Sequence, residues 1–155
     1  MRRSKLELGD YLPYLINRVG TALAVRFTAD RLAAHGLSVA MWRVLAVLSN
    51  NGGQRQIDLA GLTSIDASTL SRLVTRLVRM GLVSRARSRT SSREVVVSLS
   101  AKGRALVDRL IPAALRLEDT LGRGLSQRDR AVVKRALRRM YANVSRHRGH
   151  VADAG

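Results

Sequence analysis

The sequence predicts a mostly α-helical protein carrying one small β-hairpin, and three observations predict it. Apolar residues recur at steps of three and four along most of the 155 residues, the period of helices with one apolar face. That period gives way to strict alternation in only two short runs, 82–87 and 95–99, and alternation is the period of strands. The length suits about one domain, and a chain of this size buries roughly two-thirds of its unfolded surface. Its core therefore needs no staples. With no cysteine present, disulfide frameworks, thiolate-held zinc and cysteine nucleophiles are excluded.

The first helix is expected over residues 8–35, where Leu8, Leu12, Leu15, Ile16, Val19, Leu23 and Phe27 share a face and Gly36 ends it. Ser38 is placed to cap a second helix that carries Met41, Trp42, Leu45 and Leu48. Asn50, Asn51, Gly52 and Gly53 read as a loop. A short helix over 54–62 offers Ile57, Leu59, Ala60 and Leu62 for burial, and Asp66 caps the next, which runs to about Met80 before Gly81 stops it. In the hairpin Val83, Arg85 and Arg87 share one face of the first strand, and Val95, Val97 and Leu99 share one face of the second. Ser100 caps a helix through Leu106, Leu110, Leu115 and Leu121, which Pro112 is expected to kink or split. Gly122 and Gly124 close it, and Ser126 with Asp129 opens a last helix reaching about His147.

Lys+Arg is 28 against Asp+Glu 11, a net charge of +17. Such a charge argues for a polyanionic partner. Only Lys5, Lys102 and Lys134 are lysines; the rest are arginines, whose planar fork suits phosphates and guanine edges. Genomic base composition is a second source of that bias. No run approaches the roughly 18 apolar residues of a membrane span, and the basic start, Met1 to Lys5, is followed by Glu7, Asp10 and Pro13 with no apolar signal core. A cytoplasmic protein with no membrane partner is expected. His35, His147 and His150 are scattered. Paired carboxylates, a serine–histidine arrangement, a phosphate-binding glycine loop and metal-ligand spacing are all missing, which disfavours an enzyme.

The helix after Asp66 carries the strongest signal. At 100° per residue, Leu70, Leu73, Val74, Leu77 and Val78 fall in one sector. The opposite sector holds Ser68, Arg72, Thr75 and Arg79, flanked by Thr69 and Arg76, with no acid among them. A solvated helix face usually mixes both signs. Hydroxyls and guanidiniums alone fit phosphates and base edges. A short helix, a tight turn and this helix make a helix-turn-helix, and the hairpin behind it makes the unit winged. Residues 67–104 hold nine basic side chains and one acid, Glu94. A second basic cluster, Arg128, Arg130, Lys134, Arg135, Arg138 and Arg139, reads equally as a solvated face or as a further DNA-backbone contact.

Asp66 to Leu77, Gly81 to Arg85 and Val95 to Gly103 together resemble the MarR family of bacterial transcription regulators. The resemblance implies a homodimeric winged helix-turn-helix protein that binds double-stranded DNA at a pseudo-palindromic operator. Residues 1–36 and 104–148 would form the dimerisation helices, 37–103 the DNA-binding module and 149–155 a flexible tail. The recognition helix would enter the major groove with Ser68, Thr69, Arg72, Thr75, Arg76 and Arg79. The wing would reach the minor groove with Arg87, Arg89, Ser91 and Arg93. Arg93 matches the family's wing arginine, whereas Ser91 stands where the family usually has an acid that braces wing against helix. No cofactor and no metal are implied.

The first helix has more apolar surface than one small winged module covers, and the last adds Val132, Val133, Leu137, Met140 and Tyr141. A dimer interface and an ordinary core both fit. Family members are often released from DNA by small aromatic or acidic molecules, and Tyr11, Tyr14, Arg18 and Trp42 are the candidates here for holding an aromatic acid or acyl-thioester. Tyr14 and Trp42 equally suit a plain core. The expectation is a sequence-specific repressor; the alternative is a non-specific nucleic-acid-binding or ribosome-associated basic protein.

Overall fold

The computed structural model describes residues 6–87 and 94–145. A 3-10 turn, Leu8–Asp10, leads into α1, Leu12–Phe27, which continues through a π turn, Thr28–Leu32, and a 3-10 turn, Ala33–His35. Next come α2, Val39–Asn51, β1, Gln54–Arg55, α3, Gln56–Thr63, and α4, Ala67–Arg79. The wing strands β2, Val83–Arg87, and β3, Val95–Leu99, precede α5, Ala101–Leu121, and α6, Gln127–Ser145. The mostly helical fold with a small hairpin is thus observed.

Local chemistry explains most element ends. Ser38 accepts from the Met41 amide at 3.2 Å, Asp66 from Thr69 at 2.8 Å, Ser100 from Gly103 at 3.0 Å and Ser126 from Asp129 at 3.1 Å. Each satisfies an orphan donor of a first turn. Ser126 also donates to the Asp129 carboxylate at 2.6 Å, closing a reciprocal cap. At the end of α4, Gly81 takes φ +70 and the Leu82 amide reaches back to the Leu77 carbonyl at 3.0 Å. That left-handed step is one that glycine makes without a Cβ penalty.

Four expectations are corrected. The first helix starts at Leu12 rather than Leu8, with Pro13 in its first turn, where a missing N–H costs nothing. Gln54 and Arg55 belong to a strand, not to α3; β1 pairs antiparallel with β3, giving the sheet order β1-β3-β2. Pro112 does not split α5, which runs unbroken past it. Ile57 and Leu62 are exposed, so α3 buries only Leu59 fully among its expected apolar residues.

The chain divides into two compact units inside α5, the first ending at Leu117 and the second beginning at Glu118. The core lies in the first. Phe27, Leu32, Leu37, four residues of α2, and Leu70, Val74 and Leu77 of α4 meet Val83, Val97 and the inner face of α5. In the second unit the Arg130 guanidinium donates to the Gly122 carbonyl at 2.7 Å, and Lys134 pairs with Glu118. The Lys134 ammonium holds the Glu118 carboxyl below its usual range. α6 buries none of its residues. Among the described residues no single helix is long and apolar enough to cross a membrane.

Close packing at the start of α5 fixes how the wing leaves α4. The Ser100 hydroxyl donates to the Gly81 carbonyl at 2.6 Å, and the Lys102 ammonium donates to the Met80 carbonyl at 2.9 Å. A Cβ on Gly103 would sit 2.0 Å from the Leu82 carbonyl oxygen. Gly103→Ala should therefore cost about 1–3 kcal/mol through overpacking against backbone, read as a lower urea midpoint with unchanged m-value.

Candidate nucleic-acid interface

α3 and α4 are joined by three residues, Ser64 to Asp66. The Ile65 amide returns to the Ala60 carbonyl at 3.2 Å, and Ser64 turns the chain at φ 55. Asp66 then caps α4 and also accepts from the Ser68 hydroxyl at 2.8 Å. Leu70, Val74 and Leu77 are fully buried, so the helix presents its opposite face outward. Thirteen residues make α4 about 20 Å long. Such a rod fits the DNA major groove, about 12 Å wide.

The sequence-predicted residues of α4 do lie on one face. Ser68, Arg72, Arg76 and Arg79 are exposed, and Thr69 and Thr75 are half-buried. Arg72 donates to the Thr69 hydroxyl at 3.2 Å, and Arg76 leans on the Gly36 carbonyl at 3.5 Å. Among the described residues Arg79 and Arg87 have no hydrogen-bond or ion-pair partner. Arg87 ends β2, opposite Val95. The wing residues Arg89, Ser91 and Arg93 lie outside the described residues.

Against known proteins, the MarR family model matches residues 37–95. A MarR-family transcriptional regulator from Silicibacter pomeroyi is 32% identical, with a TM-score of 0.79 over 93% of this chain and 97% of that one. An HTH-type transcriptional repressor of Mycobacterium tuberculosis is 33% identical over 67% of this chain and 76% of its own length. The BpsR regulator of Bordetella bronchiseptica is 25% identical, with a TM-score of 0.80 over 88% of this chain and 97% of that one. The chain belongs to the MarR family. Its sheet and helices are those of a winged helix-turn-helix, and its coarse function is that of a DNA-binding transcription regulator.

Within this MarR module, two features escape sequence reasoning. Arg85 crosses from β2 to the recognition helix, donating to the Thr75 hydroxyl at 3.0 Å and to the Ser71 carbonyl at 2.9 Å. Thr75 in turn donates to the Ser71 carbonyl at 2.9 Å, so its hydroxyl is engaged within the protein. A signal for this was present: an arginine sharing a strand face with inward-facing Val83 points toward α4. The second feature is Arg55 of β1, which bonds Asp58 of α3 at 2.6 Å and Glu94, just ahead of β3 at the outer end of the hairpin ladder, at 2.8 Å. These two carboxylates, Asp58 first, push the Arg55 guanidinium further toward its charged form.

The four residues singled out for a small molecule divide into two places. On α1 the Arg18 guanidinium lies 5.7 Å from the Tyr14 ring centre, and Tyr11 is exposed one turn earlier. Trp42 instead stands edge-on to Phe27 at 5.6 Å and lines a groove of about 450 Å3 with Val39, Arg43, Val47 and Leu62.

The Asp66 cap gives a pH signature. Bonds from the Thr69 amide, then the Thr69 and Ser68 hydroxyls, hold its carboxyl at about 2. A depressed carboxyl stabilises the fold fully above the ordinary aspartate range, near pH 4, and loses that contribution as pH falls through about 2. NMR titration should place the Asp66 midpoint near 2, and unfolding free energy should fall less between pH 4 and 2 in Asp66→Asn than in the wild type.

Proposed function

We propose that the protein is a homodimeric repressor that reads a pseudo-palindromic operator through α4 and the wing and is released by a small aromatic acid. One observation carries the reading: an acid-free row of arginines and hydroxyls on a helix whose opposite side buries Leu70, Val74 and Leu77, with Leu73 part-buried and Val78 exposed at its edge. Arg72 and Arg76 are the base readers, since a guanidinium takes guanine O6 and N7 together. Arg79 serves the flanking phosphates, and Ser68 and Thr69 do so where DNA draws their hydroxyls from the Asp66 carboxylate. Arg87, with Arg89, Ser91 and Arg93 beyond it, supplies the minor-groove arm, where narrow A·T tracts attract guanidinium.

Exposed apolar surface supports the dimer. Leu12, Leu15, Ile16 and Val19 form an uncovered stripe on α1, and Val133, Leu137, Tyr141 and Val144 form another on α6. Contiguous apolar surface of this kind marks an interface, and residues 1–36 and 104–148 are the dimerisation regions in this reading. A two-fold dimer would set its half-sites about one helical turn apart.

For the effector, Tyr14 and Arg18 offer a ring and a cation side by side, and Trp42 and Arg43 line a groove on α2. DNA binding of the related BpsR is regulated by 6-hydroxynicotinic acid, which is an aromatic acid. The net charge of +17 favours one second reading, a non-specific nucleic-acid binder. Competition separates the two: random duplex in modest excess displaces a non-specific protein from a selected site and leaves a sequence reader in place.

Selection from a random-duplex library followed by gel-shift titration tests the assignment. Arg72→Ala should flatten base preference at one position per half-site, costing about 1–3 kcal/mol there. Unchanged affinity and unchanged preference would refute the recognition-helix reading. Leu137→Glu should shift the protein to monomer in sedimentation velocity and weaken operator binding at least tenfold, because half-sites would then bind singly.

A further inference from the structure

We propose that Arg85 is a positioning residue that fastens the wing to the recognition helix from within the protein, and that neither Arg85 nor Thr75 contacts DNA. The proposal rests on the DNA-reading role given to α4 above. It takes Thr75, which its place on the outer face of α4 assigns to DNA, off the DNA surface and gives a role to Arg85, which the sequence counts only among the basic residues of 67–104.

The geometry is that of a fork closing on two acceptors one helical turn apart. One guanidinium nitrogen donates to Thr75 Oγ1 at 3.0 Å and the other to the Ser71 carbonyl at 2.9 Å. The single Thr75 proton goes to that same carbonyl at 2.9 Å, which turns the hydroxyl oxygen toward Arg85 as an acceptor. The bonds are charge-assisted on the donor side, the stronger class. Arg85 stands opposite the fully buried Val97, two residues on from the buried Val83 and on the same strand face, which places it beside α4 although its outer end stays exposed. The wing acid Glu94 is taken by Arg55, and Arg85 holds to neutral acceptors of α4 instead.

The mechanical consequence follows from position. Val83 leaves the core at the start of β2, Arg85 is the middle residue and Arg87 the last. A link at the middle residue shortens the part of the ribbon that swings freely. Wing and recognition helix then meet DNA as one body, and the cost of orienting the wing is met before binding, the general basis of preorganised affinity. Arg85 would accordingly contribute nothing to counterion release.

The test uses the full-length protein and a duplex selected by it, with Arg85→Gln, Arg85→Lys, Thr75→Val and the Arg85→Gln/Thr75→Val pair. Affinity is measured across a salt series, and thermal unfolding of all variants is recorded without DNA. A brace needs the planar fork, so Arg85→Gln and Arg85→Lys should both lose about tenfold in affinity. Their slopes of log affinity against log salt should match the wild type, since no phosphate contact is lost. Thr75→Val should add nothing further to Arg85→Gln, in affinity or in melting temperature. The proposal is overturned if Arg85→Gln lowers the slope by about one while Arg85→Lys keeps full affinity, the signature of a phosphate contact. It is equally overturned if the Arg85 and Thr75 effects on melting are additive. Should the wild type select no DNA sequence, the DNA-reading role falls by itself, and the melting cycle still decides the brace.

Discussion

Leu70, Val74 and Leu77 recur at four and three residues along α4 and are shut away from solvent against α2, α3 and the wing base. Burying each is worth roughly 1.5–3 kcal/mol, far more than any surface ion pair, for which the median is about 0–1 kcal/mol. This apolar seam fixes the rotation of α4 about its axis. Ser68, Arg72, Arg76 and Arg79 point outward because the other side has no freedom to turn away. A helix carrying three exposed arginines and no acid repels itself; the core contacts hold it in place regardless. The caps at Asp66 and Gly81 then set where the rod begins and ends.

The same seam explains what was legible in the sequence. A period of 3.6 written in leucine and valine over thirteen residues is unambiguous, and serine or aspartate caps three residues ahead of an amide announce themselves. α4 and the starts of α2, α5 and α6 were readable for that reason, and strict alternation showed the two hairpin strands. β1 was not, because two residues, Gln54 and Arg55, are too few to display any period, and their strand character comes from pairing with Val96 and Val97 forty residues away. The start of α1 was misplaced because Leu8 fits the apolar period although Leu8–Asp10 is only a 3-10 turn. Pro112 was over-weighted, since an apolar face that includes Leu106, Leu110 and Ala113 holds α5 together across one missing N–H. At the interface the face of α4 was legible, whereas for Arg85 the alternation of β2 gives only the side of the strand, and its bond to Thr75, ten residues away, comes from packing.

α6 shows the opposite situation. Its apolar residues keep helical spacing, yet it buries none of them, and its cohesion with the end of α5 comes from polar links: Arg130 on the Gly122 carbonyl and Lys134 on Glu118. Those two cations are thereby removed from the basic cluster that the sequence showed on this helix. Arg128, Arg135 and Arg139 remain on the far side, at steps of seven and four that keep them nearly in line. The helix thus carries an arginine stripe on one side and an apolar stripe on the other, with Arg130 and Lys134 beside the apolar stripe and held by the protein's own oxygens. A helix so divided is suited to an apolar partner on one side and solvent or polyanion on the other.

The arginines therefore do two kinds of work, and the formal charge does not distinguish them. Arg43 donates to the Thr63 carbonyl at 3.1 Å behind the helix-turn-helix corner, Arg85 to the Ser71 carbonyl and Arg130 to the Gly122 carbonyl. In each, a fork with five N–H groups reaches main-chain oxygens; those of Thr63 and Gly122 lie at helix ends, where orphan carbonyls collect, and that of Ser71 lies within α4. A lysine supplies one point of attachment at such a place, as Lys102 does at Met80, but cannot span two acceptors. Arg55 joins two carboxylates on different elements in the same way. Each of these side chains still counts toward +17, yet each is held by the protein's own oxygens. The number of phosphates the molecule neutralises is accordingly smaller than its net charge implies, and it is set by the arginines whose acceptors the fold does not provide.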